Sequence, residues 1–287
     1  MPLLPVSQLE RMTPLFKGKA GNAFASLLRK LFSVSRLSDL YDECCHLQGP
    51  EFAAAVIKRL GIKLEIGDAF RLNELPEGPF ITVSNHPYGG MDGIILLDLI
   101  GHQREGFKVM VNEFLDLIEP FRQSWITVNP KNNDSNGVTQ KNIQGVKEVF
   151  QTLRNGKPVG FFPSGAVSDF SIKELRIRDR QWQEPLIRLI RKARVPIVPI
   201  RFLDRNSAFF YFLGLINWKI RTLRLPKEVI NKEGSTIRVA VGETISVARQ
   251  DQHKDFKGFR DLLRNSVYEM PVPETFTGYE DFLLKSR

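Results

Sequence analysis

Between residues 80 and 202 short apolar runs rich in β-branched side chains alternate with longer stretches whose apolar positions recur at helical spacing. Alternation of this kind leaves few solutions, because each strand can bury its faces only against a layer of helices; it predicts an α/β layered sheet. Strands are expected at 63–66, 80–84, 108–112, 125–129, 158–162, 197–202 and 236–241. Helices are expected at 51–60, 93–100, 140–154, 185–193 and 256–268; in 140–154 Ile143, Val146, Val149, Phe150 and Leu153 share a face, and Asn155-Gly156 ends it. Residues 1–70 read as a helical extension, in which Phe24, Leu27, Leu28, Leu31 and Phe32 line one side opposite Arg29 and Lys30, a candidate for membrane contact. Residues 71–287 read as a catalytic domain, with no repeat, linker or low-complexity tract.

The chemistry concentrates in Asn85-His86-Pro87-Tyr88-Gly89-Gly90-Met91-Asp92-Gly93, which sits where an apolar strand gives way to a helix. Active sites of α/β proteins collect at such strand ends. A histidine there can take a proton near neutral pH. It needs a partner that fixes its tautomer and stabilises the imidazolium, and Asp92 can reach back to it across the glycine turn. Asp92 also falls in the first turn of the next helix, where a carboxylate is favoured by the dipole. Gly89 and Gly90 let the backbone turn sharply and approach a substrate.

These residues resemble the His/Asp block of the PlsC-type glycerolipid acyltransferases, and the form NHPYGGMDG is similar to their haemolysin-like branch, which includes ornithine- and glycine-lipid acyltransferases. Three further blocks follow in the family's order: Asn112-Glu113-Phe114 through Trp125–Asn129, then Phe161-Phe162-Pro163-Ser164-Gly165, then Val195-Pro196-Ile197-Val198-Pro199-Ile200. Arg205-Asn206-Ser207 and Phe209-Phe210-Tyr211 also resemble that branch. The likeness spans residues 35–245 and implies a mixed central sheet flanked by helices. It implies that His86, held by Asp92, deprotonates the hydroxyl of a lyso-lipid acceptor, which attacks the thioester of acyl carrier protein or coenzyme A. It assigns substrate contacts to Asn85, Gly89, Gly90, Lys131, Phe162, Pro163, Ser164 and Gly165, with the Ser164-Gly165 amides as oxyanion donors.

The sequence departs from the family pattern in three places. Five residues separate His86 from Asp92, one more than is usual. Ser164 stands where the third block carries glutamate, and Asn129-Pro130-Lys131 stands where the second ends in a phosphate-binding arginine. The last two favour an acceptor with an amino-acid headgroup over lysophosphatidate.

The net charge of +9 attracts polyanions. No nucleic-acid motif accompanies it, so the expected partner is an anionic membrane surface rather than nucleic acid. Phe209, Phe210, Phe212 and Trp218, followed by Lys219 and Arg221, are candidate membrane contacts. No window is long and apolar enough to span a bilayer and no signal peptide precedes the domain, so a peripheral protein on the cytoplasmic face of the bacterial inner membrane is expected. The adjacent pair Cys44-Cys45 favours a reducing compartment. Four scattered histidines suggest no metal site, and no bound cofactor is expected. Two other classes remain open: a hydrolase with Ser164 as nucleophile, although no G-x-S-x-G elbow surrounds it, and a non-catalytic membrane-binding protein.

Overall fold

The computed structural model describes residues 34–129 and 140–285. Helices α1 (Val34–Cys44) and α2 (Gly49–Arg59) lead into strand β1 (Lys63–Gly67), and β2 (Ile81–Ser84) runs into helix α3 (Gly90–Gly101). Then come β3 (Lys108–Asn112), β4 (Trp125–Val128), α4 (Gln140–Arg154) and β5 (Val159–Phe161). A small hairpin, β6 (Asp169–Ser171) and β7 (Arg176–Arg178), precedes α5 (Glu184–Ala193) and β8 (Ile197–Phe202). Three short helices, α6 (Ala208–Ile216), α7 (Trp218–Leu223) and α8 (Leu225–Ile230), connect to β9 (Thr236–Val241). The described chain closes with α9 (Val247–Asp251), α10 (Phe256–Tyr268), β10 (Phe276–Gly278) and α11 (Tyr279–Lys285).

Eight strands form one mixed sheet in the order β10-β1-β9-β8-β2-β5-β3-β4. The five strands β8, β2, β5, β3 and β4 are parallel. β9 runs antiparallel to β8, β1 parallel to β9, and β10 antiparallel to β1. Both faces are covered, which is why the central strands β2, β5 and β8 are buried nearly throughout rather than on alternate residues. α2 and α3 bury Phe52, Val56, Ile95 and Leu99 on one side; α4, α5 and α10 bury Val149, Ile187, Ile190, Phe259 and Leu263 on the other. α3 is apolar nearly all round and is buried along almost its whole length, as such a helix must be.

Parallel strands put their C-terminal ends on one edge. The segments leaving β2, β5 and β8 therefore meet, although up to 117 residues separate them in sequence. The boundary expected at residue 70 does not survive. β1 pairs with both β9 and β10, and Phe52, Ala53 and Val56 lie in the main core, so residues 34–70 are part of the catalytic fold. The stretch 24–32 lies outside the described residues.

At the far end of α3, buried Asp98 holds His102, with Nδ1 3.1 Å from Oδ1. The hydrogen bond that His102 donates to the Asp98 side chain raises the His102 pKa above its ordinary 6.5, and burial raises that of Asp98. The folded state thus keeps protons that the unfolded chain releases. The stabilisation is present below about pH 6.5 and is lost as pH rises through the raised His102 value. Thermal melts across a pH series should show Tm falling from neutral to mildly alkaline pH, with a flatter slope in His102→Gln.

Candidate active site

The loop that carries His86 begins where β2 stops. Ser84 is the last residue of β2 paired to β8. Beyond it the Asn85 side chain continues the ladder: its Nδ2 donates to the Phe202 carbonyl at 2.8 Å and its Oδ1 accepts the Phe202 amide at 2.8 Å. The amide side chain acts here as a peptide group, so Asn85 fixes the direction in which His86 leaves the sheet. Gly89 has φ +83°, and a Cβ there would come within 2.9 Å of Leu225 and 3.1 Å of Val167. Only glycine fits both that backbone and that space.

The turn returns Asp92 to His86. The His86 Nδ1 stands 2.9 Å from Asp92 Oδ2. The same oxygen accepts the amides of Tyr88 and Gly89, both at 2.9 Å. Asp92 is fully buried, and burial pushes its pKa above the usual carboxylate value, against the His86 side chain and the two amides. A carboxylate so placed gains from a positive charge beside it, which is what an imidazole supplies when it takes a proton. With Nδ1 facing Asp92, Nε2 is the nitrogen left for a substrate, and the His86 side chain is 18% exposed. Gly90 opens α3 between the two residues with nothing within 4 Å of a Cβ built on it.

The segment after β5 forms the second wall. The Phe162 ring stacks on His86 with centroids 4.2 Å apart and planes 28° from parallel. Pro163 and Ser164 offer their carbonyls to the Gln183 amide and side chain, at 2.8 and 3.3 Å. Gly165, at φ +62°, donates its amide to the Phe162 carbonyl at 2.9 Å. That amide already has an acceptor inside the turn, which corrects the expectation that it serves an oxyanion. The Ser164 hydroxyl is buried and donates to the Ala166 carbonyl at 2.7 Å. Ser164 is committed to its own turn rather than to His86, so the three residues do not form a Ser-His-Asp relay.

One contributor was not foreseen from the sequence. Asp179, just past β7 and buried, accepts the His86 amide at 3.1 Å and the Ser168 hydroxyl at 2.6 Å on Oδ1, and the Trp182 indole at 3.0 Å on Oδ2. Ser168 in turn donates its amide to the His86 carbonyl at 2.8 Å. The peptide groups on both sides of His86 are thus tied to the β6–β7 region. Asp179→Asn leaves a donor facing the Trp182 indole, and a misplacement on the order of 1 Å at a reacting centre costs about 10²-fold. We expect kcat to fall by roughly 10–10² with KM little changed and the far-UV circular dichroism unaltered.

Two of the expected membrane contacts point inward. Phe210 is fully buried, since the side of α6 that carries Phe210 and Tyr211 packs on the domain, and burying a phenylalanine stabilises by ~2 kcal/mol. Arg221 is also buried: it donates to the Ser168 carbonyl at 3.1 Å and to the Val167 carbonyl at 3.4 Å, pairs with Asp169, and lies over the Phe210 ring. It clamps the loop beside His86. Phe209, Phe212, Trp218 and Lys219 are exposed. Lys131 lies outside the described residues.

A model of the family described as Acyltransferase matches residues 10–271. The chain belongs to the acyltransferase family. It is therefore an enzyme that transfers acyl groups, and the non-catalytic alternative falls away. Among curated proteins, the acyltransferase is 26% identical over 253 residues to the lyso-glycine lipid O-acyltransferase of Bacteroides thetaiotaomicron, covering 85% of this chain and 89% of that one. It is 26% identical over 271 residues to the protein of the same name from Phocaeicola vulgatus, covering 89% and 93%. Among solved structures it is similar to the 1-acyl-sn-glycerophosphate acyltransferase PlsC of Thermotoga maritima, at 13% identity and TM-score 0.46 over 91% of this chain and 96% of that one. Among the described residues of the acyltransferase, no helix is long and apolar enough to cross a membrane.

Proposed function

We propose that this acyltransferase moves a fatty acyl chain from a thioester of acyl carrier protein or coenzyme A to the hydroxyl of a lyso-lipid with an amino-acid headgroup, lyso-glycine lipid above all. His86 Nε2 takes the hydroxyl proton while Asp92 stabilises the imidazolium. The oxygen attacks the thioester carbonyl, the tetrahedral intermediate collapses with cleavage of the C–S bond, and the leaving sulfur receives the proton from His86. No acyl group is held on the enzyme. The Gly90 amide, which heads α3 without an intrahelical acceptor in a residue whose Cβ position is open, is the donor we assign to the oxyanion. Phe162 shields the His86 ring from solvent on one face. The single observation that supports this chemistry is the 2.9 Å contact between His86 and the buried Asp92.

The acceptor class is supported by the two curated relatives, whose names specify lyso-glycine lipid. A local feature agrees with it. At the end of β4, where the resembling family carries a phosphate-binding arginine, Asn129 donates to Glu113 at 2.6 Å. Lys141 is shared between Glu113 and Asp116. Two carboxylates against one lysine are ill suited to a phosphate headgroup. We place the enzyme peripherally at the cytoplasmic face of the bacterial inner membrane, where acyl thioesters are made. Purified protein supplied with acyl carrier protein and coenzyme A thioesters, against lyso-glycine lipid, lyso-ornithine lipid and lysophosphatidate in parallel, should acylate the aminolipids with clear preference. Preference for lysophosphatidate would overturn the acceptor assignment.

A further inference from the structure

Among the described residues of the acyltransferase, most of the large apolar side chains that are exposed lie on one unit. Phe209, Phe212, Leu215, Ile216, Trp218 and Ile220 are 43–60% exposed along α6 and α7. The tip of the β6–β7 hairpin adds Ile172 and Leu175, at 69% and 76%. The two pieces are joined: α6 packs against β6, and Arg221 of α7 pairs with Asp169 of β6. A soluble surface rarely leaves so many large apolar groups together without an occupant.

Charge selects that occupant. Residues 207–230 carry four basic side chains and one acid, Glu228, which is buried and held by Arg224 and Ser207. On the hairpin, Asp169 pairs with Arg180 and Arg221, and Glu174 with Arg178. The acids are neutralised, while Lys173 and Lys219 stand exposed beside the apolar tips. Lys219 lies over the Trp218 ring and Arg224 over Phe209, the apolar-body, cationic-tip arrangement of side chains at a lipid interface. The unit also rests on the catalytic loop: the Tyr211 hydroxyl donates to the Pro87 carbonyl at 3.1 Å, and Leu225 of α8 packs on Gly89.

We propose that α6, α7 and the 172–175 tip form one docking surface for an anionic bilayer, with the apolar side chains among the acyl chains and Lys173 and Lys219 at the headgroups. Held there, the loop that carries His86, on which the unit rests, lies next to the layer in which a lyso-lipid acceptor resides. This use of the surface rests on the acyl-transfer reading above; the docking itself does not.

The test uses the full chain in co-sedimentation with phosphatidylcholine vesicles, with and without about a third phosphatidylglycerol. Wild type should sediment with the anionic vesicles and weakly with the neutral ones. Phe212→Ser/Trp218→Ser and Ile172→Ser/Leu175→Ser should each lower the bound fraction by about tenfold or more. Both should keep their circular dichroism and their rate on a short-chain acceptor below its aggregation concentration. Wild type that turns over acceptor yet ignores anionic vesicles, or variants that bind as wild type does, would overturn the docking surface. So would a concentration-dependent dimer in gel filtration that the same substitutions disperse, since the patch would then cover a second copy. Wild type that sediments but acylates no acceptor would sink the acyl-transfer reading while leaving the docking surface standing.

Discussion

His86→Ala should lower kcat by about 10²–10⁴ and leave KM for both substrates within a few-fold, because a positioned base contributes mainly to the transition state. The fold should survive. The His86 side chain contacts Asp92 and Phe162 but crosses no core layer, and the loop is held by groups other than the ring. Those groups are Asn85 on the Phe202 peptide, Asp179 on the His86 amide and Gly89 in its left-handed turn. The measurement is steady-state kinetics on purified protein alongside a thermal melt. A variant that folds and still turns over near the wild-type rate would show that another group moves the proton.

Asp92→Asn should cost nearly as much in rate, by a different route. The carboxylate presents Oδ2 to His86 Nδ1 and to two amides at once. An amide side chain can keep the two amides on its oxygen only by turning its NH₂ elsewhere. With its oxygen in the place of Oδ2 the imidazolium loses the negative charge beside it; with NH₂ there, Nδ1 must accept, Nε2 carries the proton, and the imidazole can no longer act as a base toward substrate. In a hydrolase triad the equivalent change costs about 10⁴ in kcat. We expect roughly 10²–10⁴ here, with Tm little lowered or raised, since burial opposes ionisation of Asp92. Asp92→Glu should not rescue, because the longer side chain has no room in a fully buried site held by Tyr88 and Gly89.

What could be read from the sequence was local. The strand ending at Ser84, the glycine turn and the carboxylate at the start of α3 lie within nine residues, so the period change and the turn chemistry announce the pair. The parallel order of β8, β2 and β5 follows from strands separated by helices, and it brings Phe162 against His86. The rest depends on contacts between distant segments. Asp179 meets His86 across 93 residues through a three-residue-stranded hairpin too short and too charged to look like sheet. In residues 208–216 nearly every side chain is apolar, so no polar face marks which of Phe209 and Phe210 turns inward; packing on Tyr211 and Arg221 decides it. Arg221 reads as a membrane contact because nothing in its sequence neighbourhood reveals the Val167 and Ser168 carbonyls and the Asp169 carboxylate it clamps. β1 seemed part of an extension because its partners, β9 and β10, come far later in the chain.

The central claim is that His86 activates the acceptor for direct attack on the thioester. Rapid-mixing measurement of thiol release, with and without lyso-glycine lipid, tests it most directly. Thiol should appear only when the acceptor is present, in step with diacylated product and with no burst. A burst equal to the enzyme concentration in the absence of acceptor would reveal an acyl-enzyme, and continuous release yielding free fatty acid would reveal a hydrolase; either would contradict the assignment of His86 as the base for the acceptor hydroxyl.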